Sequence, residues 1–249
     1  MKARKGQVLV VAALAIALTI LSVQSFLYSL SKQRITPQND YLSEYLLSIN
    51  QGSKHTIAAS LINISNSGVS TNLASNLARW TAFLVDDYQF GTPIITITLE
   101  TSSPYSDGLR FEWGATGTGI SSACSDFNLS LSGRDVEVNW DYSVNITSKV
   151  TCRGEYTDLG GTSKRFDLIV NVYNEEEPCL ADYVILHYNK TTTWENPTNL
   201  MDYFVTDYGN GTYMYSFTDD IDKTQIPVRI QVVDLRGVYI RVEQTLVEN

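Results

Sequence analysis

Five asparagines occur in Asn-X-Ser/Thr triplets, which are the acceptor sequence for N-linked glycans. They are Asn63, Asn128, Asn145, Asn189 and Asn210. A chain this rich in serine and threonine contains some triplets by composition alone, so their placement carries more weight than their number. Asn128 and Asn145 fall at polar positions of alternating segments, and Asn210 falls in a turn. The sequence therefore predicts a glycan on at least one of these sites.

The three cysteines, Cys124, Cys152 and Cys179, are the second candidates for chemistry. Thiols outside the reducing cytoplasm form disulfides. We predict a disulfide between Cys124 and Cys152, which neighbouring strands would bring together, with Cys179 free or paired between chains; the spacing alone leaves other pairings open. Zinc is disfavoured because there is no Cys-X-X-Cys and the two histidines, His55 and His187, are far away in sequence.

Motifs for catalysis are absent from the sequence, which has no Gly-X-Ser-X-Gly, no His-Glu-X-X-His and no Walker loop. Asp219, Asp220 and Asp222 offer carboxylates of the kind that calcium prefers, but their spacing matches no complete EF-hand. A solvated acidic turn is the favoured interpretation there and at residues 175–177. The sequence therefore predicts a protein that is not an enzyme and has no cofactor or metal site.

Charge and composition narrow the class of protein further. The net charge is -9 and no basic patch is evident, which argues against nucleic acid as a partner. Hydrophobic residues make up 43% of the chain and charged residues 18%, which is typical of a folded globular protein. A chain of 249 residues is long enough for one large or two small domains.

The N-terminal region predicts a membrane location. Lys2, Arg4 and Lys5 precede an uncharged stretch over residues 8–30, which as a helix is long enough to cross a hydrocarbon core of about 30 Å. Fewer basic residues follow this stretch, so the positive-inside rule favours a cytoplasmic N-terminus and places residues 35–249 outside. We therefore expect a single-pass protein of the cell membrane with its later domains extracytoplasmic.

The sequence Lys5-Gly6-Gln7 directly before this apolar stretch resembles the class III signal of archaeal type IV pilin-like proteins. The resemblance covers about 30 residues, and a similar start is found in the tight-adherence pseudopilins of bacteria. It implies that a prepilin-type peptidase cleaves between Gly6 and Gln7, leaving the helix as membrane anchor and filament core. It also implies N-glycosylation, which is common on archaeal surface proteins. Val11 departs from the family pattern, in which a glutamate at this position helps to register subunits.

Two alternatives to this processing stay open. An uncleaved signal anchor gives Gly6 and Gln7 no role. A secretory signal peptide would be cleaved after Ser25, although the preceding apolar run exceeds the usual length of about 7–15 residues.

A helical region is predicted between residues 32 and 91. Pro37 breaks the membrane helix, a second helix begins near Asp40 and ends at Gly52, and another covers residues 55–64. A longer helix is predicted from apolar residues at helical spacing, with Gly91 as its end. These residues are Val69, Leu73, Leu77, Trp80, Leu84 and Tyr88.

From Thr92 onward the periodicity becomes that of β-strands. Strands are predicted at 92–101, 127–131, 136–147 and 166–172, and then near 183–188, 203–208, 212–217, 228–233 and 238–247. Turns are expected at Gly133-Arg134, Gly160-Gly161, Asn210-Gly211 and Asp234–Gly237.

Glu175–Pro178 interrupts the strands with charge and a proline, and we predict a domain boundary there. A loop within a single sandwich is the alternative. The expected fold class is an N-terminal transmembrane helix plus a helical segment, followed by mainly β structure with one or more immunoglobulin-like sandwich domains. The expected divisions are a leader at 1–6, a transmembrane helix at 7–31, a helical region at 32–91, a β domain at 92–175 and a C-terminal sandwich at 179–249.

Aromatic residues are abundant in the last of these regions. Alternation places Tyr213, Tyr215 and Phe217 on one face, as expected for a core, whereas Trp194 and Tyr208 lie near turns and are candidates for a binding surface.

Together these features predict a membrane-anchored, pilin-like structural protein of the cell surface that serves adhesion or filament assembly. Its expected partners are the membrane through residues 8–30, a prepilin-type peptidase, and copies of itself or other pilin-like subunits. The alternative is a monomeric anchored module that binds a ligand or protein through its C-terminal β region.

Overall fold

The computed structural model describes residues 20–25, 28, 42–87, 92–132 and 137–249. The chain divides into two compact units, Met1–Gln51 and Gly52–Asn249. In the described part of the chain, no helix combines the length and the apolar character needed to cross a membrane. The predicted span at 7–31 lies outside the described residues except at 20–25 and 28, and the predicted cleavage position at Gly6 and Gln7 lies outside them as well.

Among the described residues, helical segments lie at 20–25 and 28, at 42–65, which we call α1, and at Asn72–Asp87, which we call α2. The prediction that a helix ends at Gly52 is wrong, because α1 runs through this residue without a break. A Cβ atom added to Gly52 would lie 2.2 Å from Cη2 of Trp80 on α2. The glycine therefore allows the close approach of an indole ring and does not mark a helix end.

The first turn of the longer helix predicted from Val69 onward also differs from the structure. Val69 lies before α2 and is exposed, since α2 begins at Asn72. Leu73, Leu77 and Leu84 are buried as predicted. Tyr88 and Gly91 lie outside the described residues.

The described residues contain twelve strands. They are β1 (Thr92–Leu99), β2 (Leu109–Trp113), β3 (Thr118–Ser132), β4 (Glu137–Gly160), β5 (Ser163–Asn174), β6 (Glu177–Pro178), β7 (Ala181–Asn189), β8 (Trp194–Glu195), β9 (Phe204–Asp207), β10 (Thr212–Asp220), β11 (Ile226–Asp234) and β12 (Tyr239–Leu246). A short 3-10 helix at Pro197–Asn199 connects β8 to β9.

These strands form two antiparallel sheets, as expected for a mainly β fold. Sheet 1 has the order β1-β3-β4-β5-β10-β9, with β2 beside β3 and β6 beside β5, and sheet 2 has the order β12-β11-β7-β8. Side chains from both sheets and from the helices join one buried cluster, to which Leu61, Phe127, Val170 and Val242 belong. This arrangement is compatible with a β-sandwich.

The hairpin predicted between β3 and β4 is present, with Ser132 opposite Glu137. Its inward residues Phe127, Leu129 and Leu131 are buried as alternation predicts. The predicted turn at Gly133-Arg134 lies outside the described residues. β4 is much longer than predicted, because the alternation of buried and more exposed residues continues to Tyr156 and the strand itself to Gly160.

Glu175–Pro178 forms a tight return within sheet 1. Glu175 and Glu176 have positive φ angles of 48° and 66°, and Glu177–Pro178 then pairs with β5 as β6. β9 and β10, which follow this segment, join the sheet that β1–β5 begin. The two predicted β domains therefore contribute strands to one sheet, which is compatible with the alternative of a loop within a single sandwich.

A polar cluster around Asp234 ties the two sheets together. Asp234 is fully buried at the end of β11 and accepts hydrogen bonds from Ser148 Oγ on β4 at 2.7 Å, Arg236 Nε at 3.0 Å and the Val238 backbone N–H at 2.9 Å. Arg236 also donates to Glu175 at 2.8 Å. These hydrogen bonds join β4 of sheet 1 to the β11–β12 turn of sheet 2. They also satisfy the buried carboxylate of Asp234, which would otherwise be costly to bury.

The predicted disulfide between Cys124 and Cys152 is wrong, and all three cysteines are free thiols. Cys124 lies opposite Asn145, whereas the N–H of Cys152 bonds to Gly117. This register separates the two cysteines by roughly 23 Å along the strands. A disulfide requires Cα atoms within about 7 Å.

Candidate functional site

The outward surface of sheet 2 carries a group of cationic and aromatic side chains. On β11, Val228, Ile230 and Val232 point inward and are fully buried, so Arg229 and Gln231 point outward and are half-buried. β7 and β12 alternate in the same way. We call this surface the basic face, and it comprises Arg229, Arg241, Glu243, Gln231, His187, Tyr239, Trp194 and Trp113, the last contributed by β2.

Strand register places the two arginines of the basic face diagonally. Arg229 on β11 lies opposite Glu243 on β12, and Arg241 lies opposite Gln231. Diagonal positions on adjacent antiparallel strands are about 7–8 Å apart. The strands therefore hold the backbone positions of the two arginines at a fixed spacing.

Arg229 lies over an aromatic ring. Its Cζ atom lies 4.0 Å from the centroid of the Trp194 ring, a cation–π contact. A planar guanidinium stacked in this way keeps its in-plane donors free for hydrogen bonds. Trp194 belongs to β8, which pairs with the end of β7.

Arg241 lies beside a second tryptophan, with its Cζ atom 6.0 Å from the Trp113 ring centroid. Trp113 is itself anchored, because its indole N–H donates to Ser121 Oγ at 3.0 Å and Tyr239 meets its ring edge-on at 5.3 Å. The ring is thus a rigid support for the arginine.

Glu243 lies between the two arginines. Arg229 Nε donates to its Oε1 at 2.8 Å, whereas Arg241 Nε is 3.8 Å from the same oxygen and is buried without a hydrogen-bond partner. The terminal nitrogens of both arginines donate no hydrogen bond to any described residue. Two supported guanidinium groups are therefore available to a ligand that carries carboxylates.

His187 lies opposite Arg229 on β7. Burial lowers the pKa of His187 below its ordinary value of 6.5, and the charge of Arg229 lowers it further. The imidazole is thus neutral at pH 7, and the positive charge of the basic face comes from its arginines.

A surface of opposite charge lies on the outer side of β3 and β4. Asp126 lies opposite Ser143 and Asn128 lies opposite Asp141, so the two aspartates form another diagonal pair. All four side chains are exposed. They line a groove of about 560 Å³ together with Thr98, Phe127 and Tyr142. We call this surface the acidic face and define it by Asp126, Asn128, Asp141 and Ser143.

The predicted glycan acceptors are dispersed over the fold. Asn63, Asn128, Asn145 and Asn210 are exposed. Asn189 is half-buried, and its Oδ1 accepts a hydrogen bond from Lys223 Nζ at 2.7 Å. Of the five, Asn128 is the one that belongs to the acidic face.

The three cysteines are poor nucleophiles, because their pKa values are all raised. Burial raises the pKa of Cys152 to about 12. Burial, followed by the negative charge of Asp234, raises the pKa of Cys179 to about 11, and burial raises the pKa of Cys124 as well. A thiol with a raised pKa is almost wholly protonated near neutral pH and reacts slowly.

In the acidic segment at Asp219–Asp222, the structure gives Asp219 a role in hydrogen bonding within the fold. Asp219 accepts hydrogen bonds from Tyr188 at 2.8 Å and Lys190 at 2.7 Å. These bonds satisfy a carboxylate that would otherwise be poorly solvated. Across the described ranges, no group of three or more His, Cys, Asp or Glu side chains is placed to hold a metal ion.

Of the aromatic residues singled out in the sequence, Tyr213, Tyr215 and Phe217 are buried, which confirms their prediction as core. Trp194 belongs to the basic face. Tyr208 is 58% exposed and lies elsewhere, where its hydroxyl meets Met214 Sδ at 3.7 Å.

Sequence reasoning did not identify Arg229, Arg241 or Trp113 as members of a site. The alternation of β11 and β12, with the predicted turn at Asp234–Gly237, contains the signal that places Arg229 and Arg241 on one surface. No local pattern links Trp113 to them, because β2 is distant in sequence.

No family model matches this chain, and no curated protein matches it.

Proposed function

We propose that this chain is a membrane-anchored, pilin-like protein of the cell surface whose sandwich is displayed outside the cell. The motif Lys5-Gly6-Gln7 before the uncharged stretch at 8–30 carries the proposal. A folded unit at 52–249 with an acidic sequence suits a soluble domain held outside a membrane. In this proposal the protein is not an enzyme, and its sandwich is of the immunoglobulin-like type.

The N-terminal residue of the protein isolated from its native membrane tests this proposal. A mature chain that begins at Gln7 is the expected result, because a prepilin-type peptidase cleaves before the apolar helix. A chain that begins at Met1 contradicts processing, and one that begins at Phe26 contradicts anchoring.

We also propose that one or more of the five acceptor asparagines carries a glycan. Exposure supports Asn63, Asn145 and Asn210 in particular, whereas Asn189 is half-buried and less accessible. Intact-mass and glycopeptide spectra of the native protein test this. Unmodified peptides at all five positions would remove the proposal.

A monomeric anchored binding module is the second candidate function. The basic face favours it, because supported arginines beside tryptophans are typical of the centre of a binding surface. Mechanical shearing of cells distinguishes the two candidates. A filament subunit is released in sedimentable form, whereas an anchored monomer stays with the membrane.

A further inference from the structure

We infer that the basic face of one copy of this chain binds the acidic face of another copy. This inference rests on the proposed function, since it gives a surface protein a means of assembly. It requires that the two faces match in chemistry, in spacing and in accessibility.

The chemistry of the two faces is complementary. Arg229 and Arg241 have terminal nitrogens that bind no described residue. On the acidic face, Asp141 Oδ1 accepts from Asn128 and Asp126 Oδ1 accepts from Ser143, while the second oxygen of each carboxylate accepts no hydrogen bond from a described residue. Guanidinium groups and carboxylates form charge-assisted hydrogen bonds of the stronger kind.

The backbone positions of the two charged pairs also match in spacing. Arg229 and Arg241 occupy diagonal positions on β11 and β12, and Asp126 and Asp141 occupy diagonal positions on β3 and β4. Sheet geometry sets both separations at about 7–8 Å. Two ion pairs can therefore form at once between two copies.

A second copy is the occupant that the charges favour. Copies with a net charge of -9 repel each other, and contacts between opposite charges offset part of that repulsion. The basic face supplies such a contact on an otherwise acidic chain. Tryptophan, tyrosine and arginine are also the residues most enriched at the energetic centres of protein interfaces.

The contact is heterologous, because it joins two different surfaces of the same chain. Such contacts do not close on themselves in a dimer, and they produce rings or open filaments. Each added copy presents a new unused face of each kind. This is the property that a filament subunit requires.

Asn128 makes the inference sharper, because it is both a glycan acceptor and a member of the acidic face. Its amide already contacts Asp141. A glycan on Asn128 would cover both aspartates and exclude a second copy. The inference therefore predicts that assembled copies carry no glycan at this residue.

The experiment measures self-association of the full-length protein in detergent by analytical ultracentrifugation. A basic-face variant carries Arg229→Glu and Arg241→Glu, and an acidic-face variant carries Asp126→Lys and Asp141→Lys. Each alone should raise the dissociation constant at least about tenfold, because like charges then face each other. A control with Arg153→Glu and Asp220→Lys, both exposed and outside the two faces, should associate like the wild type.

Mixing the two face variants shows whether a variant fails to associate because its face is reversed or because it is misfolded. Each variant retains one native face and carries one reversed face, so the mixture should restore association, which a misfolded variant cannot do. Association of the wild type should weaken as salt is added.

Several results would overturn the inference. They are wild-type association by either face variant alone, failure of the mixture, and a glycan on Asn128 in the assembled fraction. A wild-type chain that stays monomeric and binds polygalacturonate through the basic face would also overturn it, because the face then serves a polysaccharide. A mature N-terminus at Gln7 with unchanged association would refute this inference and leave the proposed function intact.

Discussion

The basic face and the acidic face share a backbone arrangement and differ in how their charges are supported. Each places two like charges diagonally on adjacent antiparallel strands. On the basic face, the stems of Arg229 and Arg241 are half-buried against tryptophan rings. On the acidic face, Asp126 and Asp141 are exposed and accept hydrogen bonds from Ser143 and Asn128.

This difference has an energetic consequence. Glu243 lies between the arginines and reduces their mutual repulsion. Asp126 and Asp141 have no ion-pair partner among the described residues, so no opposite charge reduces their repulsion, and water, salt and neutral hydrogen-bond donors must do so. We therefore expect the basic face to contribute to the stability of the fold, whereas the acidic face contributes little beyond its backbone.

The largest expected effect comes from breaking the scaffold that both faces share. Asp234→Ala removes the acceptor that joins Ser148 to Arg236 and leaves a half-buried guanidinium with one acidic partner fewer. Removing one partner of such a network destabilises a protein by about 3–5 kcal/mol. Chemical denaturation followed by circular dichroism measures this loss. Asp220→Ala, at an exposed position, is the control and should change stability by less than about 0.5 kcal/mol.

Alternation in the sequence predicted most of the framework that carries the two faces. It placed the cores of β3, β5 and β10 on the correct side, and it indicated outward positions on β4. Two errors have a common physical cause. Both depend on contacts between residues that are distant in sequence. A glycine ends many helices, but Gly52 allows a contact with Trp80 on another helix. The register that separates Cys124 from Cys152 is set by the pairing of β3 with β4.

The same limit explains why the basic face was not predicted as a unit. Period-two alternation is a local property, so it predicts that Arg229 and Arg241 point outward from their strands. The support from Trp113 depends on the position of β2, which is joined to β12 by tertiary contacts alone. Trp194 was singled out because of a nearby turn, and its contact with Arg229 required the pairing of β7, β8 and β11.

Removing one carboxylate from each face tests the comparison directly. Glu243→Gln deprives Arg229 of its charged partner on the basic face, and we expect a loss of about 1 kcal/mol in unfolding free energy. Asp141→Asn removes one of two repelling charges on the acidic face, so we expect a change within about 0.5 kcal/mol. Equal losses in the two variants would contradict the view that only the basic face is stabilising.

A smaller effect is expected from the ring that supports Arg229. Trp194→Leu removes the cation–π contact and should lower the unfolding free energy by about 0.5–1 kcal/mol, whereas Trp194→Phe retains a ring and most of that energy. Tyr208→Leu is the matched control, because this exposed ring lies outside both faces. If the phenylalanine and leucine variants are equally destabilised, the contact contributes nothing.

The smallest effect concerns the titration of His187, which reports the electric field of the basic face. Burial and Arg229 hold the pKa of His187 below 6.5, so the unfolded chain binds this proton at a higher pH than the folded one. Stability contributed by His187 is therefore present above pH 6.5 and falls as the pH decreases below it. NMR titration should show that Arg229→Gln raises the pKa, although burial keeps it below its ordinary value, and that Arg153→Gln leaves it unchanged. An unaltered His187 pKa in the Arg229 variant would mean that water screens the guanidinium, and the charge of the basic face would then be too weak to select an acidic partner.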